Sequence, residues 1–278
     1  MNQLRLPFIV LLAIAIVPAA QAGLLPRPDH VVVVIEENRS FMQIMDKGNH
    51  DSLIHALAKR GMLFTRSYGI THPSQPNYLA LFSGATQGIV NNACPLALIS
   101  DNLATVLLDA GLSFASFAES LPEVGDIGCM YGAYQRKHNP VVNWQDTRLP
   151  AGVNRRFADF PTDFSRLPTI AFIIPNQNHD MHDGSFADAD DWLKTHISPY
   201  VDWAMKHNSL LILTWDEDNF QADNRVATIL VGPMVQAGTS AQRINHYSVL
   251  RTLLDFYGLP ALGESSKADA IKGIWLEH

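Results

Sequence analysis

The sequence predicts an α/β fold with a mostly parallel central sheet flanked by helices. Three observations carry that expectation. Apolar runs rich in β-branched residues, led by His30–Ile35, read as strands covered on both faces. Segments with helical spacing alternate with those runs along the chain. Polar clusters follow directly on the apolar runs, which is where open α/β sheets place their ligands.

The elements follow in order. Ser52–Lys59 has helical spacing and stops at Gly61. Leu63–Ile70 is strand-like and feeds a turn. A helix begins at Pro76 and ends near Gly84, which makes Ser74 its N-cap and leaves Pro76 in the first turn. Leu103–Leu108 reads as a helix ending near Gly111, Ser113–Phe117 as a short strand, and Thr169–Ile174 as a strand stopped by Pro175. Asp190–His207 is a helix bent or broken near Pro199. Leu210–Trp215 and Val226–Val231 are strands, and Tyr247–Tyr257 is a helix closed by Gly258. Residues 23–278 are expected as one domain, in which the less regular stretch 94–143 forms a cap-like insertion over the site. The tail after Gly263 is polar and adds nothing to the pattern.

At 278 residues, 47% hydrophobic and 17% charged, the chain can bury a sizeable core. Its net charge of −7 offers no basic footprint for nucleic acid, so an anionic substrate has to be drawn by a local site. Residues 1–22 read as a signal peptide: Arg5 supplies the positive start, Leu6–Ala19 the apolar stretch, and Ala20-Gln21-Ala22 the cleavage site. No later stretch is long and apolar enough to span a bilayer, and the expected location is periplasmic or secreted. In an exported chain the cysteine pair Cys94 and Cys129 reads most simply as a disulfide, against the alternative of two buried free thiols.

A hydroxyl at the head of a helix sits among unpaired N–H groups at the positive end of the helix dipole, an environment that favours bound phosphate and a serine alkoxide. Ser74 is such a residue, though a serine there also serves as an ordinary cap. Glu36-Glu37-Asn38 brings carboxylates to the end of the first strand, and Asp216-Glu217 does so at another. Carboxylates at buried strand ends are costly unless they are paired or hold a cation. Glu37, Asn38, Asp216 and Glu217 offer hard oxygen ligands suited to Mg²⁺, Ca²⁺ or Mn²⁺ rather than zinc. Asn176–Gly184 is dense in potential ligands and proton donors, with His179, Asp180, His182 and Asp183. Arg136-Lys137-His138 is a basic cluster suited to phosphoryl oxygens, and His246 opens the last helix as a further ligand or acid–base group.

Taken together, Glu37-Asn38-Arg39-Ser40-Phe41, His72–Tyr78, Lys137-His138-Asn139-Pro140, Pro175-Asn176 with Met181-His182-Asp183, and Thr214–Glu217 resemble the phosphoesterase family. That family holds secreted acid phosphatases and zinc-independent phospholipases C of the alkaline phosphatase superfamily, and the resemblance implies an alkaline-phosphatase-like fold. It implies Ser74 as nucleophile and places His246 where zinc relatives keep a late histidine ligand. His182 or His246 is expected as the acid–base group, and Lys137, His138 and Asn77 as substrate contacts. Glu37, Asn38, Asp216 and Glu217 would hold the metal. Glu217 stands where zinc enzymes of the superfamily carry a histidine, which favours a single hard cation over a two-zinc site. The expected activity is hydrolysis of phosphate monoesters through a phosphoserine at acid pH, on a small phosphate ester or a phosphorylated lipid head group. The alternatives are a phosphodiesterase of phospholipase C type and a non-catalytic periplasmic protein that binds phosphate or metal.

Overall fold

A computed structural model describes residues 25–276 apart from 46, 47, 49 and 50. The expected signal peptide, 1–22, lies outside the described residues. Strands β1 (His30–Glu36), β2 (Met62–Tyr68), β3 (Phe114–Ala118), β6 (Asn154–Arg156), β7 (Ile170–Ile174), β8 (Ser209–Trp215), β9 (Arg225–Val231), β10 (Gly238–Ser240) and β11 (Ile244–Asn245) form one sheet, and β4 (Met130–Tyr131) pairs with β5 (Tyr134–Gln135) in a separate hairpin. The sheet order is β10-β2-β9-β8-β1-β7-β3-β6, with β11 also on β2. Pairing is parallel throughout except where β9 runs against β8 and β2. The expected mostly parallel sheet is therefore present, and β1, β2, β7 and β8 all end on one edge.

Helices α1 (Phe41–Met45), α2 (Leu53–Arg60), α5 (Phe186–His196) and α6 (Ser198–Ala204) cover one face; α3 (Ser74–Ser83), α4 (Leu103–Asp109) and α7 (His246–Phe256) cover the other. Two hydrophobic layers result. Val31, Val33 and Ile35 point to the α3 side and Val32 and Val34 to the α5 side. A strand's side chains alternate faces, so this doubly covered sheet needs the continuous apolar run seen in β1. The helix expected over Asp190–His207 is two helices meeting at Ile197–Ser198, because Pro199 cannot donate to the helical ladder. The tail is not inert: Ile271 and Ile274 are buried in the α3-side layer.

The expected cap over 94–143 needs correction. Within it, α4 packs in the α3-side core and β3 pairs in register with both β7 and β6, so these elements belong to the main domain. The remainder is braced from inside. Cys94 and Cys129 form a disulfide with Cα atoms 5.9 Å apart. The buried Arg136 guanidinium donates to the carbonyls of Ile127 (2.6 Å), Leu96 (2.9 Å) and Val142 (2.7 Å). One side chain thus ties three loop segments together beside Lys137 and His138.

Candidate active site

The alternation that builds the core also selects the site residues. Ile35 faces α3, so Glu36 faces α5 and Glu37, one residue on, turns back toward α3. Asn38 takes a left-handed φ of 50°, a conformation asparagine tolerates, and its N–H reaches Asp216 Oδ1 at 3.2 Å. Trp215 pairs in register with Glu36 at the end of β8, which delivers Asp216 and Glu217 to the same edge.

Ser74 lies where these strand ends meet the head of α3. Its hydroxyl donates to Glu37 Oε2 at 2.9 Å, with Glu217 Oε1 at 3.3 Å. The serine is buried, as are Glu37, Asp216 and Glu217. Two neighbouring strands far apart in sequence, with one helix, therefore bring Ser74, Glu37, Asp216 and Glu217 together. One detail differs from expectation: Pro73 is the N-cap and Ser74 the first helical residue. The hydroxyl is thereby spared from capping and turns to the carboxylates.

Neighbours hold these carboxylates in place. Tyr78, one turn after Ser74, donates to Glu37 Oε1 at 2.6 Å. His72 Nδ1 lies 2.9 Å from Glu217 Oε2 and its Nε2 3.3 Å from Asp218 Oδ1, while its ring stacks on Phe220 at 3.9 Å between centroids. The buried His138 sits between two acids, Nε2 3.1 Å from Glu37 Oε1 and Nδ1 3.1 Å from Asp180 Oδ2, at ion-pair range. Burial works against charge on His138, but Glu37 and Asp180 hold its pKa up to about 9. Burial likewise opposes charge on Glu37, yet His138 and Lys137 bring it down to about 2. Burial and the Glu37 charge push Glu217 up to about 8, and burial with both glutamates pushes Asp216 well above the usual carboxylate range.

Several expected site residues have partners that redefine them. Asn77 was expected to contact substrate, but its Oδ1 accepts from the N–H groups of Ile70 (2.8 Å) and Thr71 (3.0 Å), and its Nδ2 donates to Thr71 O (2.8 Å) and reaches Glu217 Oε2 (3.2 Å). Buried and so committed, it braces the turn that presents Ser74. His138 likewise spends both ring nitrogens on acids rather than facing a substrate. His246 Nε2 donates to the Asp216 carbonyl at 2.6 Å, and burial lowers its pKa to about 4, so it supports the β8 end as a neutral ring. Lys137 and His182 remain at the mouth: Lys137 Nζ donates to His182 Nε2 at 3.1 Å, and His182 Nδ1 lies 2.7 Å from Asp183 Oδ1. His182 is partly exposed, whereas Asp180 is buried beneath it.

The residues sequence reasoning gave no role are His72, Tyr78 and Glu36. The first two lie in the His72–Tyr78 block itself; Tyr78 follows Ser74 by four, on the same helix face, whereas His72 precedes the helix and has no such signal. Glu36 is fully buried with both carboxyl oxygens lacking a hydrogen-bond partner among the described residues, and burial raises its pKa strongly.

The oxygen-only set suits a hard divalent cation. Asp216 Oδ2 is buried without a hydrogen-bond partner among the described residues, and Asp216 and Glu217 oppose each other's charge. A cation would satisfy both features. Among the described residues no three His, Cys, Asp or Glu side chains close on one point; Glu37 and Glu217 instead take hydrogen bonds from Ser74, Tyr78, Asn77 and His72.

A family model described as the phosphoesterase family matches residues 44–260. The chain is 45% identical over 260 residues to the phosphatidylinositol-3-phosphatase of Mycobacterium tuberculosis, covering 91% of this chain and 85% of that protein. It is 34% identical over 254 residues to the phosphate-repressible acid phosphatase of Penicillium chrysogenum and 34% over 230 residues to the acid phosphatase of Aspergillus fumigatus. The matches cover 84% and 74% of this chain but only 60% and 51% of those fungal proteins. In fold, it resembles an alkaline phosphatase superfamily protein from Vibrio parahaemolyticus (TM-score 0.57, 12% identity, 90% of this chain and 72% of that one). A phosphonate monoester hydrolase from Silicibacter pomeroyi gives a TM-score of 0.56 at 13% identity, covering 84% and 74%. These likenesses show a shared fold, and the extended matches in sequence show that the chain belongs to the phosphoesterase family.

Proposed function

We propose that this protein hydrolyses phosphate monoesters, with Ser74 as the group that accepts the phosphoryl. One observation carries the reading: a buried hydroxyl at the head of α3 lies within 2.9 and 3.3 Å of carboxylates from the ends of β1 and β8. The phosphatase names of its relatives support the same class of chemistry.

In the first step Ser74 Oγ attacks phosphorus, the Oγ–P bond forms, and the ester O–P bond breaks. The hydroxyl proton passes to Glu37, the nearer carboxylate at 2.9 Å. Lys137, at the mouth of the site, offsets negative charge on the phosphoryl oxygens. His182 carries a proton to the departing oxygen, since it sits at the mouth beside Lys137 and Asp183 whereas His246 is sealed against Asp216. In the second step a water oxygen attacks phosphorus and the Oγ–P bond breaks; His182 takes the water proton, and Glu37 returns its proton to Ser74 Oγ. Glu37, Asn38, Asp216 and Glu217 would hold one Mg²⁺, Ca²⁺ or Mn²⁺. Bound there, a cation would lower the serine pKa and neutralise developing charge.

The proposed substrates are small phosphate monoesters and phosphorylated lipid head groups, the latter in line with the name of the mycobacterial relative. Acid pH is the proposed working range, following the fungal relatives' names. Export to the periplasm or beyond fits the Cys94–Cys129 disulfide. Among the described residues no helix is long and apolar enough to cross a membrane. The test is phosphate release from a panel of monoesters, diesters and phospholipids across pH, with and without chelator, for the wild type and Ser74→Ala. The proposal expects monoester turnover that chelation suppresses and Ser74→Ala abolishes with the fold intact. Preferential diester cleavage, or turnover that survives in Ser74→Ala, would overturn it.

A further inference from the structure

We infer that a cleft beside the active site, between the end of β2 and the start of α7, binds a second phosphoryl or phosphodiester anion carried by the same substrate. The inference rests on the reading of Ser74 as the reacting group. Tyr68, Gly69 and Ile70 form one wall, and Arg243, Tyr247 and Ser248 the other, around a cavity of about 390 Å³. That lies within the range of small-ligand sites, roughly 300–1,000 Å³.

Arg243 supplies the chemistry. Its guanidinium carbon lies 3.8 Å from the centre of the Tyr68 ring. Among the described residues no carboxylate pairs with it and no hydrogen bond engages its side chain. A guanidinium laid on an aromatic face is oriented by that contact and keeps its N–H edge free, and that edge matches a phosphoryl group in a fork. Ser248, 5% exposed, lines the same cleft, and among the described residues its Oγ has only a 3.5 Å contact to Asn245 Oδ1. In a chain of net charge −7, an unpaired cation beside the site is a local attractor for an anion that the overall field repels.

The cleft is joined to the reacting centre through its walls. Ile70 N–H is held by Asn77 Oδ1 at 2.8 Å, and Asn77 Nδ2 lies 3.2 Å from Glu217 Oε2. A Cβ on Gly69 would stand 2.7 Å from the Asp216 carbonyl oxygen, so this wall needs glycine to lie against the β8 end. His246, between the cleft residues Asn245 and Tyr247, donates to that same carbonyl. A substrate with two anionic groups can thus be held at both, with one phosphoryl at Ser74 and the other at Arg243.

The test compares wild type, Arg243→Gln and Arg243→Lys on p-nitrophenyl phosphate, an inositol bisphosphate and a short-chain phosphatidylinositol monophosphate, with folding checked by circular dichroism. Losing a charge-assisted fork should raise KM about tenfold for a substrate with a second anion, leave kcat near the wild-type value, and leave p-nitrophenyl phosphate unaffected. Arg243→Lys should recover part of the loss, because it keeps the charge without the fork. A KM shift with the bisphosphate identifies a second monoester as the ligand; a shift with the lipid alone identifies the phosphodiester. Equal shifts on all three substrates, or on none, would overturn the inference. So would a variant whose one change is relief of inhibition by inorganic phosphate, since the cleft would then serve product. Should the wild type release phosphate from none of them, the Ser74 reading falls by itself. Calorimetric titration with the bisphosphate then decides the cleft: binding lost in Arg243→Gln upholds it, and equal or absent binding refutes it.

Discussion

Replacing His138 by Gln isolates the charge that sits between Glu37 and Asp180. The substitution keeps a side chain of similar reach and removes the cation. In the folded protein His138 moves from its usual 6.5 to about 9, because Glu37 and Asp180 overcome the burial that opposes its charge. At 1.36 kcal/mol for each tenfold change, that is about 3 kcal/mol, near the lower edge of what breaking a buried ion pair costs. For a domain of this size the loss should lower the melting temperature by roughly 6–12 °C. The sign of the pH dependence is fixed. A pKa raised on folding contributes fully below 6.5 and is lost as pH rises through about 9. Glu37, lowered from 4.5 to about 2, contributes above 4.5 and loses its share as pH falls through about 2. Thermal melts of the chelated wild type and His138→Gln should therefore differ most between about pH 4.5 and 6.5 and converge toward about pH 9.5. A gap that stays constant with pH, or that is absent in the acid window, would refute the buried ion pair.

The remaining predictions use other parts of the structure. His246 has the opposite linkage: its pKa falls from 6.5 to about 4 on burial, so its stabilising share is full above 6.5 and is lost as pH falls through about 4. His246→Gln, which retains a donor for the Asp216 carbonyl, should flatten the fall in melting temperature between those pH values; an unchanged slope would contradict a neutral buried ring. Reducing Cys94–Cys129, whose members lie 35 positions apart, should cost about 4 kcal/mol on the loop-closure model, read as a lower urea midpoint with a steeper slope as the unfolded chain expands. A midpoint that does not move on reduction would show that Arg136 alone holds the loops.

Much of the site was legible because it is built from strand ends. β1 and β8 are covered on both faces, so their apolar runs mark where the chain must emerge, and the first polar residues beyond them had to be Glu37 and Asp216. Ser74 was legible as the head of a helix, though one position off as a cap. What could not be read is the pairing among those groups. Nothing in the spacing tells that His138, 101 positions from Glu37, spends itself on a carboxylate, or that Asn77 braces its own loop. The short edge strands β6, β10 and β11 carry no apolar run of their own, and they form because a neighbouring strand presents unpaired groups. β3 was legible as a strand, but the cap reading of 94–143 hid its membership of the sheet, which only long-range pairing with β7 reveals.

The central claim is that the Ser74 hydroxyl takes the phosphoryl group. Acid quenching of a single turnover of an aryl phosphate, followed by peptide mass analysis, tests it most directly. The account predicts one phosphoryl group on the peptide that contains Ser74, and neither label nor turnover in a folded Ser74→Ala protein. A phosphoryl group on another residue, or label-free turnover that continues without the serine, would contradict it.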